Sequence, residues 1–176
     1  STPPPCDGVL SVTLHRLVGL VLVPNADMLD GFGRPDPYAV LKIQGQRGAR
    51  PQKSSTKVQT TQPVFEDRFE FFIQAGSDLV SLSVQVWSSV DCGSDQFLGS
   101  AQINICRLYS DRWLAENAQP VCVDIPLGDP DTKVKLPTTS GLKGGHVYGT
   151  AAVTVHFQPK TEAETSDSAS EDMLEL

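Results

Sequence analysis

Two aspartates, Asp30 and Asp36, lie six residues apart in a segment, residues 30–38, that is rich in glycine and proline. Two carboxylates held in one tight turn repel each other unless a cation lies between them. Hard cations such as calcium bind clusters of oxygen ligands carried on flexible loops. The segment therefore predicts half of a metal site. The strand-like run at residues 38–44, which follows directly, places this half-site at the rim of a β fold.

The elements that would carry this loop are strands, because apolar residues alternate with mostly polar ones in many short runs. Alternation with a period of two is typical of half-buried strands. About eight such runs are present, six clear and two weaker (53–59 and 97–105): 10–14, 39–43, 53–59, 69–73, 82–86, 97–105, 121–125 and 153–157. Many short strands separated by turn residues predict an all-β fold, an eight-stranded antiparallel β-sandwich.

One short helix is expected near residues 110–117. Ser110 is a suitable N-cap, and Asp111 suits a first helical turn because its charge complements the helix dipole. Trp113 and Leu114 would anchor this helix to the core. The rest of the chain offers no other helical pattern.

The chain divides into a proline-rich leader (residues 1–7), the sandwich (8–158) and an acidic tail (159–176) that we expect to be disordered. The tail holds six acids and one base, so it carries −5 of the net charge of −7 and leaves −2 for the rest. A nucleic-acid partner would require a basic face, which this balance does not indicate. No apolar run approaches the roughly 20 residues of a membrane span. The four cysteines form no C-x-x-C pair, which is typical of free thiols in a reducing compartment.

Strand parity predicts where the loops meet. If each strand crosses the sandwich once, every connection from an odd to an even strand emerges at the same end. These connections are the loops around Asp30, around Gln62, at residues 91–96 and at residues 126–149. We therefore expect the acidic loops and the long, glycine-rich loop 126–149 to share one edge.

The order of the motifs along residues 8–157 resembles the C2 domain, the lipid- and calcium-binding module of protein kinase C, phospholipase C and synaptotagmins. The segments that carry the resemblance are Asp-Pro-Tyr at 36–38, the lysine-valine run at 53–58, and the segments 62–71, 82–87 and 97–99. The resemblance implies a C2-like sandwich. The first and last strands resemble those of the family's type II topology.

In calcium-binding members of this family, the ligands are two aspartates of the first loop and about three of the third. Asp30 and Asp36 match the first-loop pair. In the third loop the expected positions fall on Ser88, Val90 and Gln96. These residues supply neutral oxygens or none, and calcium affinity follows the number of charged ligands.

Asp91 and Asp95 each lie one residue away from the expected third-loop positions. A one-residue bulge would bring them into register, because bulges re-aim side chains. Three interpretations stay open: a working calcium site made of Asp30, Asp36, Asp91 and Asp95; a degenerate site that binds calcium weakly or not at all; and a structural role in which the aspartates hold their turns by local hydrogen bonds.

Other residues indicate contact with a membrane. Phe32 lies between two glycines at the tip of the first loop, where it would reach lipid headgroups or pack against a neighbouring loop. By the strand alternation, the other candidates point outward on neighbouring strands: Tyr38, Lys42, Lys53, Lys57 and Trp87. A cationic face flanked by aromatic residues resembles the phosphoinositide site of some family members, although a solvated sheet face has the same pattern.

The resemblance implies a non-catalytic, cytoplasmic module that docks peripherally to anionic membrane lipids, with weak or absent calcium dependence. One alternative is a protein-interaction module that uses loop 126–149 or an outer sheet face. A second alternative is a calcium-dependent phospholipid binder. Catalysis is not expected, because His15, His146 and His156 accompany no nucleophile signature, and we expect them to be surface or packing residues.

Overall fold

The computed structural model describes residues 2–25, 27–29, 31–77, 79–110, 112–113, 119–128 and 149–160. The elements within these ranges are β1 (Gly8–Val18), β2 (Val23–Pro24), β3 (Phe32–Gly33), β4 (Pro37–Gln44), β5 (Gln52–Lys53), β6 (Val64–Ile73), β7 (Ser81–Ser88), β8 (Gln96–Asn104), α1 (Ile105–Tyr109), β9 (Val121–Pro126) and β10 (Thr150–Pro159). Within them, no helix has both the length and the apolar character that a membrane crossing requires.

Eight of the strands form two four-stranded antiparallel sheets, in the orders β6-β1-β10-β9 and β5-β4-β7-β8. Strands β2 and β3 pair in a small separate ribbon. The prediction of an all-β, antiparallel sandwich is confirmed. The assignment to type II topology stays a prediction.

The core is built from the apolar residues that alternate along each strand. In β1, for example, Leu10, Val12 and Leu14 are fully buried, and in β7 so are Val84 and Val86. Burying one such side chain stabilises the fold by roughly 1.5–3 kcal/mol relative to leaving it exposed. A slip of one residue in strand pairing would turn each set to solvent, so burial fixes the register of both sheets.

The weak strand at 53–59 is much shorter than the alternation predicts. β5 contains only Gln52 and Lys53, because the next residue, Ser54, replaces ladder pairing with a side-chain contact. The Ser54 backbone N–H donates to the Ala39 carbonyl oxygen at 2.8 Å, and the Ala39 N–H donates to the Ser54 hydroxyl oxygen, also at 2.8 Å. The hydroxyl takes the place of the next backbone acceptor, and the strand ends there.

The helix that the structure describes lies directly before the predicted range, and Ser110, the predicted N-cap, does not begin it. The helix spans Ile105–Tyr109, and its N-cap is Asn104, whose side chain accepts a hydrogen bond from the Arg107 N–H. Ser110 is instead its C-cap, with a φ of 50°. Core packing decides this placement, since Ile105, Cys106 and Tyr109 are buried. Of the predicted range, residues 111 and 114–117 lie outside the described residues.

The described parts of the loops that strand parity assigns to one edge meet there, and we call this edge the loop rim. The Ser89 N–H donates to the Asp36 carbonyl oxygen at 2.9 Å, which joins the third loop to the first. The Leu20 N–H donates to the Thr61 carbonyl oxygen at 3.0 Å, which joins the first loop to the second. The long loop returns to the rim at Gly149, whose carbonyl oxygen accepts from the Leu127 N–H. Residues 30 and 129–148 lie outside the described residues.

Gly149 is required at the point where the long loop returns. Its φ of 114° disfavours other residues, and a Cβ there would lie 2.6 Å from the Val18 carbonyl oxygen. We therefore expect Gly149→Ala to lower the free energy of unfolding, measured by urea denaturation, by about 3 kcal/mol or more.

Gly48→Ala is the matched control, because Gly48 has a φ of 73° but nothing within 4 Å of the added methyl. It should cost about 1 kcal/mol, the backbone cost alone. Equal losses in the two variants would show that the contact with Val18 does not matter.

Candidate site at the loop rim and the outer sheet face

Asp36 connects the three described loops of the rim by hydrogen bonds. Its backbone N–H donates to the Ser88 hydroxyl oxygen at 3.0 Å. One of its carboxylate oxygens accepts from the Gln59 N–H at 2.7 Å. Together with the bond from Ser89 to its carbonyl oxygen, these contacts place Asp36 between the second and third loops. Asp36 therefore joins the first loop to the second and third loops by hydrogen bonds within the protein.

Asp95 closes the third loop onto the sheet. The Tyr38 hydroxyl donates to one carboxylate oxygen at 2.5 Å, and the Val90 N–H donates to the other at 3.1 Å. The ammonium of Lys53 lies 3.9 Å from the centroid of the Tyr38 ring, a cation–π arrangement. A tyrosine hydroxyl and a backbone amide thus hold the Asp95 carboxylate, and Lys53 lies over the ring of that tyrosine.

These contacts shift the titration of both partners in opposite directions. Burial, followed by the hydrogen bond and the negative charge of Asp95, raises the pKa of Tyr38 to about 12. The hydrogen bond from Tyr38, with smaller help from the Val90 N–H and from Lys53, lowers the pKa of Asp95. The pair is therefore held as a neutral phenol and a carboxylate at neutral pH.

The described aspartates do not converge on a shared point. Asp91 is exposed in the third loop, and within the described ranges no three His, Cys, Asp or Glu side chains are placed to hold a metal ion. Asp30, the remaining predicted ligand, lies outside the described residues. The donor set that can be seen does not fit a calcium ion in this arrangement.

A bulge is present near the third loop, but it lies in β8. Trp87 pairs with Phe97 and Val86 with Gly99, so Leu98 is the extra residue. The pairing of β7 with β4 continues without a shift to Ser88, opposite Pro37. Ser88 stays buried, with its hydroxyl on the Asp36 N–H, so β7 keeps a serine at the expected ligand position.

The outer face of the β5-β4-β7-β8 sheet brings together four of the residues predicted to contact lipid. Tyr38 pairs with Trp87 across β4 and β7, and Lys53 of β5 pairs with Val40. Lys42 and Lys53 are exposed, whereas Tyr38 is buried beneath the Lys53 ammonium. Trp87 is half-buried and meets Phe97 edge to face, with ring centroids 5.2 Å apart. We call Lys42 and Lys53, with the aromatic residues beside them, the basic face.

Lys57 does not extend this face along β5, because the strand ends at Lys53. Its ammonium lies 5.8 Å from the centroid of the Phe65 ring, and Phe65 belongs to β6 in the other sheet. Lys57 is therefore a half-buried residue near the rim, separate from the basic face.

Positive charge is concentrated in residues 31–58, the segment that contains both lysines of the basic face. Residues 31–58 contain six basic residues and one acid, a net charge of +5, although residues 1–158 together carry −2. The six are Arg34, Lys42, Arg47, Arg50, Lys53 and Lys57. Within the described ranges, the ion pairs join His15 to Glu66 and Arg68 to Glu70, so none of the six is neutralised in this way.

The loop rim exposes further apolar side chains around Phe32, which sequence analysis did not single out. Leu29 is fully exposed, and Phe32 itself, on the ribbon strand β3, is 52% exposed. We call the following residues the apolar rim: Leu22, Met28, Leu29, Phe32, Val58 and Val90. Leu22, Met28 and Phe32 line an open cleft of about 370 Å³, together with Arg34 and other polar neighbours. The one sequence feature that could have indicated these exposed side chains is the presence of apolar residues within a turn-rich segment.

A row of polar side chains crosses the other sheet and was also missed. The His15 ring forms two hydrogen bonds: Nδ1 lies 2.7 Å from a Glu66 carboxylate oxygen, and Nε2 lies 2.6 Å from the Thr154 hydroxyl oxygen. The Cys122 thiol contacts the same hydroxyl at 3.3 Å. His15 and Glu66 meet where β1 and β6 shift register, and Glu66 has a φ of 52°. This row links β6, β1, β10 and β9.

A family model for the C2 domain matches residues 8–119, and the chain belongs to the C2 domain family. The chain is 30% identical over 171 residues to extended synaptotagmin-3 of Xenopus tropicalis, which covers 88% of this chain and 18% of that protein. It is 32% identical over 94 residues to synaptotagmin-4 of Arabidopsis thaliana, covering 51% of this chain and 16% of that protein. The chain thus spans less than a fifth of the length of these relatives.

Solved structures share the fold at lower sequence identity. A C2 domain of a plant extended synaptotagmin 1 superposes with a TM-score of 0.62 at 17% identity, over 92% of this chain and 100% of that one. A calcium-bound pair of C2 domains from extended synaptotagmin 2 gives 0.62 at 16% identity, over 98% of this chain and 54% of that one. These likenesses support the C2-like sandwich described above.

The Tyr38–Asp95 contact can be tested by titrating Tyr38, followed by the NMR signal of its ring carbon. We expect Tyr38 to ionise near pH 12 rather than at its ordinary value of 10.0. Asp95→Asn should lower the pKa of Tyr38 only part of the way, because burial is the larger cause. Asp91→Asn, an equal change of charge at an exposed position, should leave it unchanged.

The same shift sets the sign of a stability change with pH. Because folding raises the pKa of Tyr38, its contribution to stability is complete below pH 10 and is lost as the pH rises toward about 12. A pKa of Tyr38 that responds equally to Asp91→Asn and Asp95→Asn would contradict the hydrogen bond.

Proposed function

We propose that this C2 domain is a non-catalytic module that docks peripherally to anionic phospholipid membranes, with weak or absent calcium dependence. The observation that carries the proposal is the combination of the apolar rim with a basic face whose lysines form no ion pair in the described residues. The C2 relationship to synaptotagmins and extended synaptotagmins supports it. A cytoplasmic location at a membrane surface follows from the same proposal.

The basic face suits the anionic headgroups of the membrane, and the apolar rim suits the acyl region beneath them. A lysine near an anionic leaflet contributes about 1 kcal/mol, so Lys42 and Lys53 together contribute about 2 kcal/mol. Leu29 and Phe32 are exposed at the rim, and each would gain up to roughly 1.5–3 kcal/mol on full transfer to the acyl region. The lysines would act through charge and fade with added salt, whereas the apolar rim would not.

The hydrogen bonds of the aspartates favour weak calcium dependence. To bind calcium, Asp95 would exchange the Tyr38 hydroxyl and the Val90 N–H for the metal, and Asp36 would give up the Gln59 N–H. Ser88 and Val90 stand where the family has charged ligands. With few carboxylates and with two of them engaged, any calcium site here would be of low affinity.

Two alternatives to this proposal are a calcium-dependent phospholipid binder and a protein-interaction module. The calcium-bound structure of extended synaptotagmin 2 is the observation that favours a calcium-dependent phospholipid binder. A protein-interaction module using loop 126–149 rests on residues of which 129–148 lie outside the described ranges, so it stays a prediction from the sequence.

Charge removal on the basic face is the first test. We expect Lys42→Gln with Lys53→Gln to weaken sedimentation with phosphatidylserine vesicles, in the presence of a calcium chelator, by about 30-fold, because two lysines are worth about 2 kcal/mol. Arg107→Gln with Arg112→Gln is the matched control, since both side chains are exposed near α1, away from the basic face. Equal weakening by both pairs would contradict a specific basic face. No vesicle binding by the unmodified chain, with or without calcium, would refute membrane docking.

Calorimetric titration with calcium is the second test. We expect binding no tighter than the millimolar range, because Asp36 and Asp95, two of the three described candidate ligands, are already hydrogen-bonded within the protein. Any heat of binding should be lost in Asp36→Asn. Micromolar affinity that disappears in Asp36→Asn would replace the proposal with a calcium-dependent binder.

A further inference from the structure

The end of the sandwich opposite the loop rim contains a cluster of three aromatic rings. Trp113 stacks on Tyr109 with ring centroids 4.7 Å apart and meets Phe157 edge to face at 4.9 Å. Trp113 is only 2% exposed. Its indole N–H is a donor withdrawn from water, and such a donor requires an acceptor inside the protein.

The acceptor comes from the proline-rich leader. The indole N–H of Trp113 donates to the Thr2 carbonyl oxygen at 2.9 Å. Two residues further on, the Pro4 carbonyl oxygen accepts from the Gly76 N–H at 3.0 Å, in the turn between β6 and β7. Pro4 itself is buried, and Cys6 packs against the core. The leader therefore lies in a groove and fills it with both backbone and side chains.

Asp7 closes the end of this groove. Its carboxylate accepts from the Ala75 N–H at 2.8 Å, in the same turn that holds Pro4. Its carbonyl oxygen accepts from the Lys160 N–H at 2.8 Å, just beyond β10. The leader is thus held beside the end of the last strand before β1 begins.

Proline suits this position for a physical reason. Residues 3–5 are prolines without backbone N–H groups, so docking them brings no unpaired donor into the groove. The fixed φ of proline also lowers the entropy lost when the segment is held extended. Aromatic-lined grooves that bind extended proline-rich segments use the same features.

We propose that Trp113, Tyr109 and the Ala75–Gly76 turn form a docking groove for an extended proline-rich segment, and that residues 2–6 of the same chain occupy it as an intramolecular ligand. The groove is independent of membrane docking. It extends the folded domain to Thr2, whereas sequence analysis placed residues 1–7 outside it and the family match begins at residue 8.

The test removes the leader and returns it as a peptide. A variant lacking residues 1–6 should melt about 5 °C or more below the full chain, because the buried indole N–H loses its acceptor. A synthetic peptide of residues 1–6 should bind this variant saturably and restore the melting temperature. The same peptide with alanine in place of its three prolines should bind at least about 10-fold more weakly. Trp113→Phe in the shortened variant should weaken peptide binding about fivefold, since one hydrogen bond is lost.

Hydrogen exchange of the Trp113 indole in the full chain gives a result even if the shortened variant fails to fold. We expect this N–H to be strongly protected, and we expect Pro4→Asp to remove the protection. Rapid exchange in the unmodified chain, or an unchanged melting temperature without residues 1–6, would overturn the proposal. A dimer in which the leader of one copy fills the groove of another would overturn the intramolecular assignment.

Discussion

The hydrogen bond between the Tyr38 hydroxyl and the Asp95 carboxylate holds the third rim loop against the sheet. Tyr38 is placed by β4, and Asp95 stands directly before β8, so the bond closes the loop across three strands of one sheet. The Lys53 ammonium above the Tyr38 ring supplies a positive charge on the same side. The Tyr38 hydroxyl and the Val90 N–H thus supply the Asp95 carboxylate with donors from within the protein.

The arrangement of the rim follows from this contact. Asp95 and Asp36 are engaged with protein donors, and the loops also join through backbone bonds such as that from Ser89 to Asp36. Apolar residues of the rim, including Leu29 and Phe32, face outward. Residues 31–58, which carry a net charge of +5, include Phe32 and continue into the basic face. The opposite end of the sandwich contains the aromatic cluster and the docked leader. The two ends therefore differ in chemistry, one apolar and adjacent to positive charge, the other closed by the chain itself.

The sequence predicts the strands and the common edge of the loops well, because both depend on local alternation and on counting. Leu10, Val12 and Leu14 have to face one side, and the parity of the strands then determines where each loop emerges. Burial of Tyr109 and Ile105 places the helix, and no local capping rule reveals which of Asn104 and Ser110 begins it. Hydrogen bonds between residues distant in sequence were not predictable either. Tyr38 and Asp95 are 57 residues apart, and Trp113 and Thr2 are 111 residues apart.

Calcium independence of membrane docking is the claim on which these observations converge, and one comparison tests it directly. The affinity of the chain for vesicles containing phosphatidylserine is measured first with calcium chelated and then at millimolar calcium. We expect clear binding in the chelator and an affinity that changes less than about threefold, well under 1 kcal/mol, when calcium is added. Binding that is absent in the chelator and appears only with calcium would contradict the role assigned to the hydrogen bonds that hold Asp95.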